Sequence, residues 1–115
     1  MVKEYAGLEK PNDLCPLGEK AYEVIRSFLV EKGLDDCGGC KVFYSPTEWK
    51  ARGEKYCTGS TLVVVYDGAD ARRAFNMDYG YETKYKHMND INERLDAVGV
   101  FPEEGTGWYC GIYKK

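Results

Sequence analysis

The chain has little of several things that would assign it to a function class. Basic excess is missing: Lys plus Arg number 16 and Asp plus Glu 19, for a net charge of −3 over 115 residues. That excludes strong nucleic-acid binding through a basic footprint. The acidic surplus is equally modest, so mimicry of DNA by a negative surface is not indicated. No apolar run approaches the ~20 residues that a membrane-spanning helix needs. The glycines form neither GxGxxG nor GxxxxGK(S/T), and HExxH, EF-hand and GxSxG patterns are missing. Charge is evenly spread along the chain, with no tail of one sign to act as a docking arm. The first ten residues, MVKEYAGLEK, lack the apolar stretch of a signal peptide. The expected location is therefore the cytoplasm, where thiols stay reduced, and the odd number of cysteines, five, fits that setting.

What the chain does have is apolar and aromatic material. Apolar residues make up 43%, enough for one core in one domain, and 14% aromatics exclude a disordered protein. Ten tyrosines are many for this length. Tyrosine joins a flat apolar body to a polar tip, so it suits both ligand clefts and the wet edges of small cores.

Residues 1–15 read as a loosely held arm and 16–115 as a single α+β domain. Pro16 suits a first helical position, and Ala21, Val24, Ile25, Phe28 and Leu29 mark one helical stripe that Gly33-Leu34 closes. Lys41–Tyr44 reads as a strand. Ser45-Pro46-Thr47-Glu48 is a capping box opening a short helix, with Trp49 facing the core. The unbroken apolar run Thr61–Tyr66 predicts a central strand covered on both faces. A second long helix follows from the 3-and-4 spacing of Tyr85, Met88, Ile91, Leu95 and Val98. Asn89, Asn92, Glu93 and Asp96 lie off that stripe. Pro102–Gly107 reads as a turn and Trp108–Tyr113 as a last strand. The expected architecture is a mixed or antiparallel sheet of three to four strands with the two main helices packed on one face.

Several groups of residues invite a chemical reading. Cys37 and Cys40 form a CGGC pair, but it precedes a strand instead of opening a helix, which argues against thioredoxin-type chemistry. A zinc-stabilised module would need further ligands from Cys57, Cys110 or His87, and no second CxxC supplies them. A structural turn is the simpler reading, with no metal bound and no cofactor. His87 reads as an edge residue of the second long helix.

Asp67-Gly68-Ala69-Asp70 follows the central strand, and strand ends are where sheet proteins bind ligands. The plain alternative is a turn, with Asp70 as the N-cap of a helix over 71–76. The neighbouring Phe75-Asn76-Met77-Asp78-Tyr79 mixes aromatic, amide and acid where no regular structure is indicated, a composition suited to binding loops. The candidate contact surface is Asp67, Asp70, Phe75, Asn76, Asp78, Tyr79, Tyr81, Trp108 and Tyr109. An alternative is a small metal-dependent enzyme using Asp67, Asp70 and Asp78.

The order FYSPTEWKARG, TGSTLVVVYDGAD, FNMDY, a helix and GWYCGIY resembles that of small uncharacterised proteins of bacteriophage and mobile-element genomes, over residues 17–113. The resemblance implies an accessory protein with a host-takeover or anti-defence role, acting stoichiometrically on a host protein or a small nucleotide-like ligand. It carries no catalytic residues and leaves a homodimer open.

Overall fold

A computed structural model describes residues 7–76, 79 and 84–115. Helix α1 spans Pro16–Glu31, strand β1 Phe43–Tyr44, helix α2 Pro46–Ala51 and strand β2 Leu62–Val65. Helix α3 is Arg72–Phe75, helix α4 Lys86–Ala97, strand β3 Val100–Thr106 and strand β4 Tyr109–Lys114. The strands form one antiparallel sheet in the order β1-β2-β4-β3.

The helix boundaries follow from local chemistry. Pro16 opens α1, and the Cys15 thiol takes the N-cap, with its Sγ accepting from the Gly18 N–H at 3.4 Å. At the other end, Leu34 N–H donates to the Leu29 C=O and Gly33 N–H to the Val30 C=O, at 2.7 and 3.2 Å. Gly33 has φ +70° there, the left-handed conformation that this double bond pattern requires. The capping box of α2 is complete. Ser45 Oγ accepts from the Glu48 N–H, and Glu48 Oε1 accepts from the Ser45 N–H, both at 3.0 Å.

Both faces of the sheet are covered, by different means. On one face, Ile25, Phe28 and Leu29 of α1 and Ile91 and Leu95 of α4 pack with Phe43, Leu62, Val64, Cys110 and Ile112 of the strands. On the other, Trp49 of α2 and Cys57 cover Val63, Val65 and Tyr109. Every residue of β2 is consequently buried, as its lack of apolar–polar alternation predicts. Full burial of such side chains contributes roughly 1.5–3 kcal/mol each.

Three local expectations change. Pro102–Gly107 is not a turn: all but Gly107 lies in β3, and the reversal falls at Gly107-Trp108. A proline is tolerated because β3 is an edge strand. The Lys115 N–H bonds the Gly99 C=O at 2.9 Å, so alternation directs the peptide groups of Phe101 and Glu103 toward β4 and Pro102 outward. Asp70 is not an N-cap; Ala71 holds that position for α3, without a side-chain cap bond. The arm expected at 1–15 is anchored where it is described. Leu8 is 1% exposed, its C=O accepts from the Tyr22 hydroxyl at 2.5 Å, and Gly7 C=O accepts from the Val42 N–H at 2.9 Å.

Candidate functional site

The end of β2 and the start of β4 meet at one end of the sheet. The Tyr66 N–H donates to the Trp108 C=O at 3.0 Å. The chain then turns sharply, with the Ala69 N–H on the Tyr66 C=O at 3.1 Å and Gly68 at φ +79°. Glycine adopts that backbone without a Cβ penalty. Asp67 is left exposed at the tip, and Asp70 is half-buried. Asn76, immediately after α3, is buried, and its Nδ2 donates to the Gly107 C=O at 2.5 Å. That bond ties the loop after β2 to the β3–β4 turn.

Arg72 organises the exposed part of this end. Its guanidinium donates to the Ala69 C=O at 2.8 Å, lies 3.8 Å from the Asp70 carboxylate and sits 5.0 Å over the Tyr79 ring. Tyr79 is 43% exposed, so an aromatic face is presented to solvent with a cation on one side. Arg72 is not among the contact residues expected from the sequence. Its signal was the i,i+2 spacing from Asp70 beside an aromatic loop.

The nine expected contact residues are thus divided. Asp67, Asp70, Asn76 and Trp108 converge at the sheet end, with Tyr79 beside Arg72. Phe75 and Tyr109 are core residues, 5% and 2% exposed, on opposite faces of the sheet. Phe75 stacks on Tyr66 at 5.9 Å, and Tyr109 lies 4.9 Å from Trp49 and 4.6 Å from Trp108. They shape the surface from beneath and do not form it. Asp78 and Tyr81 lie outside the described residues.

The metal readings meet a mixed placement. Asp70 is engaged by Arg72. Cys57 belongs to the cluster on one sheet face and Cys110 to the cluster on the other. His87 packs edge-on against Phe28, with ring centroids 6.0 Å apart. Among the described residues, no three His, Cys, Asp or Glu side chains are grouped to hold a metal ion. Among the described residues, too, no helix is long and apolar enough to cross a membrane. Burial pushes the Cys110 thiol well above its ordinary range, so it packs as a neutral apolar group.

A concavity of about 560 Å³ lies between α4 and the edge strand. Asn89, Asn92, Glu93 and Asp96 form one wall, Phe101 and Pro102 the other. The off-stripe residues Asn89, Asn92, Glu93 and Asp96 of α4 are exposed and line this open groove. Comparison with protein-family models, with curated proteins and with solved structures found no match to this chain.

Proposed function

We propose that this chain is a small binding module that acts stoichiometrically on a protein partner through the end of its sheet. The contact surface is Asp67, Asp70, Arg72, Tyr79 and the rim of Trp108. The observation that carries this reading is the exposed Tyr79 ring held against the Arg72 guanidinium, which also faces the Asp70 carboxylate. An aromatic and an arginine ringed by polar groups are the residue types that dominate binding energy at protein interfaces. The resemblance in motif order to phage-type accessory proteins favours a host protein as the partner over a nucleotide-like ligand.

The test is affinity capture with mass spectrometry that also profiles co-purified small molecules, repeated with single variants. Tyr79→Ala and Asp70→Ala are expected to keep the melting temperature within a few degrees. Each should weaken partner binding, by about 1–3 kcal/mol for the aromatic. Asn89→Ala and Asn92→Ala should bind normally. The opposite pattern would move the contact surface to the groove between α4 and β3.

A further inference from the structure

The Cys37–Cys40 loop has a geometry that the binding reading does not use. The Cys40 N–H donates to the Cys37 C=O at 3.0 Å, and Gly38 and Gly39 have φ of +58° and +84°. Positive φ at both central residues of a closed turn is the type I′ pattern, which brings the first and fourth Cα atoms within about 7 Å. Disulfides span Cα separations of about 4.4–6.8 Å. We propose that Cys37 and Cys40 form a reversible dithiol–disulfide site, closed by exchange with a low-molecular-weight disulfide such as glutathione disulfide.

The surroundings fix this turn before any bond forms. A Cβ on Gly7 would lie 2.5 Å from the Cys37 Sγ and from the Cys40 C=O, so the N-terminal segment is pressed directly on the pair. On the other side, Gly38 abuts the Gly68 C=O. The flanking residue Asp36 accepts from the Asp70 N–H at 2.8 Å, and its Oδ1 accepts from the Gly38 N–H at 2.9 Å. Both cysteines are half-buried, whereas Cys57 and Cys110 are buried, so a small disulfide reaches this pair first. Burial, and for Cys37 also the neighbouring Cys40, raises both thiols above their ordinary range. The pair is therefore protonated at neutral pH and exchanges slowly, unlike a helix-opening catalytic dithiol.

The exchange balances in two steps. The thiolate of one cysteine attacks glutathione disulfide, forming a mixed disulfide and releasing one glutathione thiolate. The second cysteine, after losing its proton, attacks the mixed disulfide, closes the Cys37–Cys40 bond and releases the second glutathione. Two protein thiols are oxidised and one glutathione disulfide is reduced to two glutathione thiols.

The experiment equilibrates the full chain, carrying Cys15→Ser to remove the exposed thiol, with glutathione buffers of graded ratio. Differential alkylation and mass spectrometry then read the pair. The expected product lacks two hydrogens and links Cys37 to Cys40. Its equilibrium constant should exceed that of a synthetic peptide of residues 35–41 by about tenfold or more, because the fold pre-organises the turn. A constant equal to or below the peptide's overturns the proposal. So does loss of two hydrogens in the Cys40→Ser variant, since another pair would then be the oxidisable one.

Discussion

At the scale of single residues, two positions hold a polar group in a poor arrangement, and each makes a measurable difference. Cys15 caps α1 with sulfur, a weak acceptor, at 3.4 Å from the Gly18 N–H. A hydroxyl caps better, since Ser, Asn and Asp are the favoured N-caps. Cys15→Ser is expected to raise stability by about 0.5–1 kcal/mol, read as an upward shift of the urea midpoint at unchanged slope. Tyr66 is 1% exposed, and its hydroxyl has no hydrogen-bond partner among the described residues. Burial accordingly drives its ionisation far above the ordinary range. Tyr66→Phe removes a desolvated group while keeping the ring stacked on Phe75. It should stabilise the fold by about 1 kcal/mol. A loss of similar size in the same denaturation measurement would mean that the hydroxyl is paired.

Between elements, α1 and α4 are joined by charge as well as by core contacts. Arg94 of α4 reaches Glu31 of α1 with both terminal nitrogens, at 3.1 and 2.8 Å, and its own Asp90 at 2.7 Å. Lys32 closes the network on Asp90 at 3.2 Å and Glu31 at 3.4 Å. Hydrogen bonding to Arg94, then to Lys32, holds both carboxyls below the usual carboxylate range. Groups with a depressed folded pKa contribute stability above their unfolded pKa and lose it as pH falls through the folded value. The network therefore acts at neutral pH and vanishes in acid. Arg94→Met, which removes the ion pairs together with the guanidinium lying 5.1 Å over the Phe28 ring, should lower the urea midpoint at about pH 6 and have a smaller effect at about pH 2.5. An equal effect at both values would assign the role of Arg94 to packing alone.

For the molecule as a whole, the sheet has two apolar faces, and stability is expected to depend on both. Leu95 and Trp49 are each fully buried, on opposite sides of the sheet. Leu95→Ala should cost about 2–5 kcal/mol and Trp49→Ala about 3–5 kcal/mol by chemical denaturation. A Trp49 loss under half a kcal/mol would show that α2 and the Cys57 loop are only a loose cover. The two-sided burial also accounts for part of the tyrosine content. Tyr22, Tyr66 and Tyr109 are core, while Tyr56 and Tyr79 are exposed at 65% and 43%.

The sequence by itself determined the features that rest on neighbours a few residues apart. Helix α1 with its proline entry and Gly33 exit, the Ser45–Glu48 box, the stripe of α4 and the two-sided burial of β2 all follow from local spacing and capping. The α+β class with two main helices on one face followed from their order. Tertiary structure decided whatever depends on distant pairing. Strand β3 reads as a turn because Pro102 and Gly105 are turn residues in isolation. Only pairing with β4 makes Pro102 an outward edge position and puts Gly105 at a register shift, where the Tyr109 ring leaves no room for a Cβ. Leu8 becomes core only because Tyr22 and Val42 hold the segment around it. The candidate surface divides for the same reason. Composition marks Phe75 and Tyr109 as contact aromatics as readily as Tyr79, and nothing in their spacing tells a ring stacked beneath a sheet from one held in solvent by an arginine.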